Sequence, residues 1–132
     1  MVHHLEELLG HAKVAPAANQ IELHPWCQQR DVVAICQAHD IAVVAYSPLT
    51  KGAKLGDPRL VALARALKRS PAQVLIRWSL QRGYVTIPKS AKRERIVENA
   101  AVFDFALDAK QMVVLDDANE ENHVTWDPRD ER

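Results

Sequence analysis

The run Ile41-Ala42-Val43-Val44-Ala45-Tyr46 sets the tightest limit on what this chain can fold into. It is too short for an ordinary globular helix, and its apolar side chains do not alternate with polar ones. Such a run reads as a strand covered on both faces, as in parallel sheets flanked by helices. Parallel neighbours are joined through crossover segments, so the rest of the chain should alternate strands with helices.

The flanking sequence has that alternation. Leu5, Leu8, Leu9 and Ala12 fall at helical spacing, so the chain opens on a helix. Ala17 to His24 follows as a short strand stopped by Pro25. Asp31 to His39 carries Val32, Val33, Ile35 and Cys36 as a compact amphipathic helix. After Tyr46, Ser47-Pro48 ends the central strand. Asp57-Pro58 pairs an N-cap with a first-turn proline, and Ser70-Pro71-Ala72-Gln73 has capping-box spacing. Gly83 suits the end of that second helix. Tyr84-Val85-Thr86-Ile87 reads as the third strand, closed by Pro88, with Ser90 capping the helix through Ile96, Val97 and Ala100. Asp108 to Gln111 opens a last helix. The expected order is α-β-α-β-α-α-β-α-α, an α/β fold with parallel strands.

Composition narrows the function classes. The 132 residues fit one domain, and 17 basic against 17 acidic residues give no global attraction to nucleic acid or anionic membrane. No apolar stretch is long enough for a bilayer span, and the start lacks the charge and apolar pattern of a secretory signal. Cys27 and Cys36 match no disulfide framework or paired metal spacing. Reduced thiols in a cytoplasmic protein are the expectation, with no metal site. Residues 120–132 read as a loose polar tail.

In parallel α/β folds, ligands bind beyond the carboxyl ends of the strands. Those ends are Gln20 to His24, Tyr46-Ser47 and Lys89-Ser90. The third combines a strand end, a helix start and the cations Lys89, Lys92, Arg93 and Arg95, which suits a phosphate. Arg93 and Arg95 cannot both face one ligand, being two apart on a helix. Taken alone, the segment reads rather as a solvated basic turn, and Tyr46 rather as a partly buried core ring. Gln20 offers the donor and acceptor that a carboxamide needs. His24 reads as structural beside Pro25, and His3-His4 and Asp116-Asp117 as surface pairs.

Five blocks then converge. Asn19-Gln20-Ile21-Glu22-Leu23-His24-Pro25, Ala45-Tyr46-Ser47-Pro48-Leu49, Ala72-Gln73-Val74-Leu75-Ile76-Arg77-Trp78, Ile87-Pro88-Lys89-Ser90 with Arg95-Ile96-Val97-Glu98-Asn99, and Val102-Phe103-Asp104-Phe105 resemble the aldo-keto reductases, in family order and near family spacing. The resemblance runs from about Val2 to Leu115. It implies a (β/α)8 barrel that reduces aldehydes and ketones with NADPH. By resemblance, Gln20 bonds the nicotinamide carboxamide and Tyr46 stacks on its ring. Ser47 and Leu49 lie against the pyrophosphate. Lys89, Ser90 and Arg95 hold the adenosine 2′-phosphate, and Glu98 and Asn99 bind the adenine. Two departures are visible: Thr50-Lys51 replaces small residues after Ser-Pro-Leu, and Lys92 replaces a common Thr.

A whole barrel takes about 250 residues, and only three strands are legible here. They match barrel strands six to eight, so residues 1–132 are expected to form one partial domain, a partial TIM barrel of three parallel strands with flanking helices. The family's catalytic Asp, Tyr, Lys and His belong to earlier strands, which leaves no catalytic residue in this chain. The expected function is therefore an NADP(H)-dependent oxidoreductase present as a fragment. The alternative is a catalytically inactive NADP(H)-binding or interaction module. A carbonyl substrate is expected only if the barrel is completed, and the open strand edges favour self-association.

Overall fold

The structure, a computed structural model, describes residues 1–127. Its elements are α1 (Val2–His11), β1 (Ala18–Glu22), α2 (Arg30–Ala38), β2 (Ala42–Tyr46), α3 (Pro58–Leu67), α4 (Pro71–Gln81), β3 (Val85–Thr86), α5 (Arg93–Ala100) and α6 (Ala109–Asp116), with a short 3-10 turn at Thr50–Gly52. This is the expected order.

The helix starts follow from local chemistry. The Asp57 side chain accepts from the Arg59 amide, with Pro58 opening α3. Ser70 and Gln73 bond each other's backbone amides at the start of α4, and Asp108 and Gln111 do the same at α6. Past the end of α4 the chain turns through Gly83 at φ +79°, a left-handed conformation that a side chain would strain.

The three strands are parallel, in the order β1-β2-β3. Gln20 lies level with Val44, and Val44 with Val85, so these residues share one face with Ala18, Glu22, Ala42 and Tyr46. The opposite face, with Asn19, Ile21, Val43 and Ala45, meets the helices. There Val43 and Ala45 join Leu5, Val32, Val33, Cys36, Leu60, Leu75, Trp78 and Leu115 in one core.

The first face departs from the expectation of cover on both sides. Ala18, Gln20 and Ala42 are exposed, and Val85 is 52% exposed. All the helices pack on the other side, so nothing among the described residues lies over the amino-terminal part of this face.

Its carboxyl end, in contrast, is covered. Residues 120–127, the described part of the expected loose tail, form with Asn119 a strap across the ends of β1 and β2. The amides of Glu120 and Asn122 donate to the Trp26 carbonyl at 3.1 and 2.9 Å. Asn119 accepts from the Gln28 amide at 3.1 Å, and Lys54 pairs with Glu120 at 2.9 Å. Residues 128–132 of the expected tail lie outside the described residues.

Other local expectations are corrected. The third strand is only Val85–Thr86, two residues long, because the sheet ladder ends before Pro88, which has no amide hydrogen to donate. Ser90 is not a helix cap: its hydroxyl accepts from the Lys92 amide at 3.2 Å, forming a turn, and Lys92 occupies the cap position of α5. Asp116 is not a plain surface residue. It accepts from the Trp78 indole at 2.9 Å and pairs with Arg82, joining α4 to α6.

Candidate cofactor site

The loops after β2 and β3 and the first turn of α4 enclose a cleft of about 510 Å³. Leu49, Lys51, Gly52 and Leu55 form one wall. Ser70, Pro71 and Ala72 form a second, and Lys89, Ser90, Arg95, Glu98 and Asn99 the third. Six of the nine expected site residues thus meet in one cavity: Leu49, Lys89, Ser90, Arg95, Glu98 and Asn99. Arg93 is not among the lining residues.

Each wall has a local cause. After Tyr46 the backbone turns sharply, with φ of 50° at Ser47, 54° at Thr50, 51° at Lys51 and 91° at Gly52. Three of these are non-glycine residues in the left-handed region, which costs about 1 kcal/mol each. Burial holds the turn together: Thr50 is fully buried, its hydroxyl donates to the Leu49 carbonyl at 2.7 Å, and it accepts from the Lys54 amide at 3.0 Å. The α5 wall is tied to α4 by Gln73. Its amide nitrogen donates to the carbonyls of Glu98 at 3.2 Å and Ala101 at 2.8 Å.

The cleft is cationic. Lys51, Lys89 and Arg95 line it, and none of the three is in an ion pair within the described residues. Half-buried Ser90 offers a hydroxyl and buried Asn99 a carboxamide. Unpaired cations beside hydroxyl and amide groups suit a phosphate on a planar, hydrogen-bonding body. Lys51, Ser70, Pro71 and Ala72 were not read from sequence as site residues. The signal for the last three was Ser70-Pro71, which marks the exposed start of a helix.

Gln20, Tyr46 and Ser47 are not in the cleft. Gln20 stands exposed on the open sheet face, and Tyr46 lies further along that face toward the strand ends. Ser47 is half-buried in the turn, its carbonyl accepting from the Thr50 amide at 2.9 Å. Ser47 leads along the chain to Leu49 in the cleft wall, whereas Gln20 and Tyr46 belong to the open sheet face.

Beside Tyr46 is a buried polar cluster that sequence did not flag. Glu22 is 1% exposed and accepts from the amides of Val124 at 2.6 Å and Thr125 at 3.1 Å, and from the Thr125 hydroxyl. His24 lies 3.0 Å from the same carboxylate, and His123 3.5 Å. Burial pushes the Glu22 carboxyl up, but hydrogen bonds from Thr125, Val124 and His24 together hold it below the usual carboxylate range. Burial holds the His24 imidazole below its ordinary value, against the pull of Glu22. An ionised carboxylate only accepts, so Nε2 of His24 carries the proton and Nδ1, with no partner in the described residues, does not. No group of three or more His, Cys, Asp or Glu among the described residues is arranged to hold a metal ion.

The sequence model of the aldo/keto reductase family matches residues 1–120. The chain belongs to this family. Among relatives of this aldo/keto reductase chain, the glyoxal reductase of Bacillus subtilis is 44% identical over 127 residues, spanning 96% of this chain and 46% of the relative. The 9,11-endoperoxide prostaglandin H2 reductase of Trypanosoma cruzi is 45% identical over 129 residues, with 96% and 46% covered. Among solved structures, a mutant of Gox0644 in complex with NADPH superposes with a TM-score of 0.92 at 40% identity, covering 98% of this chain and 48% of that one. The Bombyx mori aldo-keto reductase in complex with NADP gives 0.85 at 33% identity, covering 96% and 45%. The aldo/keto reductase chain therefore spans about half the length of the curated relatives it matches, and its three parallel strands with flanking helices superpose on about half of the family's TIM barrel. No helix of the described residues is long and apolar enough to cross a membrane.

Proposed function

We propose that this chain supplies the NADP(H)-holding part of an aldo-keto reductase, an oxidoreductase that interconverts aldehydes or ketones and alcohols. The observation that carries the reading is the cationic cleft, where Lys89, Ser90 and Arg95 meet Glu98 and Asn99. Lys89 and Arg95 hold the adenosine 2′-phosphate, which favours NADP over NAD. Ser90 adds a hydroxyl donor, Glu98 and Asn99 bond the adenine, and Leu49 and Ser47 flank the pyrophosphate. Gln20 takes the carboxamide and Tyr46 the face of the nicotinamide, which supplies a hydride when bound. The complexes of family relatives with NADPH and NADP support this choice of cofactor.

The chain's own residues bind and orient, but none among the described residues is arranged as a proton donor to a carbonyl. Tyr46 is engaged through its hydroxyl with Thr125, and His24 is wholly buried against Glu22. Turnover therefore depends on the remaining strand–helix units, joined in one chain or supplied separately, and those units complete the carbonyl pocket. Cys27 and Cys36 are buried thiols, in keeping with a cytoplasmic setting.

A fluorescence titration with NADPH and NADH tests the cofactor assignment, and a carbonyl-reduction assay tests the division of labour. The chain by itself is expected to bind NADPH saturably, to bind NADH far more weakly, and to turn over no aldehyde. Turnover by the isolated chain, or equal binding of the two cofactors, contradicts the proposal.

A further inference from the structure

We infer that Glu22 is a positioning residue for the nicotinamide half of the site, acting through Thr125 on Tyr46. The inference rests on the cofactor reading above and extends it to residues that reading does not use.

Glu22 and Tyr46 are register partners on adjacent parallel strands, so their side chains rise side by side from the same face at the strand ends. Thr125 bridges them. Its hydroxyl meets the Glu22 carboxylate on one side and lies 3.2 Å from the Tyr46 hydroxyl on the other. The direction of these bonds follows from the chemistry. An ionised carboxylate has no proton to give, so the single proton of Thr125 goes to Glu22. Thr125 must then accept at its other contact, and the Tyr46 O–H is the donor. The phenol is thereby tethered at its far end, which fixes where the ring points along the open face.

Glu22 is suited to this task because it is itself immobilised. Two strap amides and His24 saturate its oxygens, its backbone carbonyl accepts from Gln29 at 2.6 Å, and it is shut off from water. The strap is in turn fixed at Trp26, Gln28 and Lys54, so the chain leading into Thr125 is anchored at three points. A ring that stacks on a planar ligand binds best when its orientation is set beforehand, since no rotamer freedom is then lost on binding. Tyr46 without its tether has to be ordered by the ligand.

The test compares NADPH with adenosine 2′,5′-bisphosphate, which carries the phosphate and adenine but no nicotinamide. Thr125→Val keeps the shape of the side chain and removes the hydroxyl, while Thr125→Ser keeps the hydroxyl. Thr125→Val is expected to weaken NADPH about tenfold while leaving the bisphosphate within about twofold, the loss matching one broken part-buried hydrogen-bond relay. Thr125→Ser is expected to restore NADPH binding. Glu22→Gln, followed by amide hydrogen exchange, is expected to speed exchange at Val124 and Thr125. Unchanged NADPH affinity in Thr125→Val, or an equal loss for both ligands, overturns the positioning role while leaving the phosphate cleft intact as a reading. Failure of the unaltered chain to bind either ligand overturns the cleft assignment, and the positioning role with it.

Discussion

Gln73, on the first turn of α4, donates a 2.8 Å hydrogen bond to the carbonyl of Ala101, just past the end of α5. Its other amide atom accepts from the Ser70 amide at 3.0 Å, so one buried side chain caps α4 and anchors α5 together. Because Arg95, Glu98 and Asn99 all ride on α5, this contact sets one wall of the cleft. Gln73→Ala removes several bonds at once and strips partners from buried carbonyls. It is expected to destabilise the chain by about 2 kcal/mol. Chemical denaturation checks the stability, and a loss well under 0.5 kcal/mol would contradict the anchoring role.

Arg95 and Arg93 provide an internal comparison, two residues apart on α5 with only Arg95 lining the cleft. Arg95→Ala is expected to weaken NADPH by about 10- to 100-fold, as expected for a charge-assisted bond to phosphate, with little effect on NADH. Arg93→Ala should change neither by more than about twofold. Isothermal titration at two salt concentrations checks both, since the Arg95 contribution should shrink as salt screens it.

Asp57 gives a pH signature. The bonds from Arg59 hold its carboxyl at about 2, against an ordinary value of 3.8. A carboxyl lowered on folding stabilises the folded state above its unfolded value, and that stability is lost as pH falls through the folded value. Asp57→Ala is therefore expected to cost about 1 kcal/mol at neutral pH, typical of a lost helix cap. The gap between variant and parent should narrow from about pH 4 and close only below about pH 2. A gap that does not change over that range would contradict the assigned cap.

The open sheet face predicts association. Val85 is 52% exposed on that face, in the last strand, with Ile87 beyond it at 43%. Unpaired strand edges next to apolar side chains invite another chain to pair. Sedimentation of the isolated protein is expected to show mass increasing with concentration, and Val85→Lys is expected to suppress this. A monomer at all concentrations would contradict it.

What was legible in the sequence was local. The caps at Asp57, Ser70 and Asp108 and the turn at Gly83 are read within four residues, and all appear in the structure. The alternation of strands and helices follows from periodicity, and the family from five spaced blocks. The cleft's cationic wall was legible because Lys89, Ser90 and Arg95 fall within one of the family's sequence blocks. The clasp of Glu22 by Val124 and Thr125 was not, because about a hundred residues separate the partners. No local pattern marks residues 119–127 as a strap, since its bonds reach partners about a hundred residues away and four of them come from backbone amides, which any residue offers. The central strand's apolar run promised two covered faces, yet helices lie on only one. The run records a face built to meet a barrel interior, which three strands cannot enclose.

Backbone amide NMR spectra recorded while adenosine 2′,5′-bisphosphate is added provide the most direct test. The expected result is saturable shifts concentrated at Lys89, Ser90, Arg95, Glu98 and Asn99, with the amides of β1 and the strap nearly still. Shifts absent at saturating ligand, or centred away from these five residues, would contradict the assignment of the cleft to the adenosine 2′-phosphate.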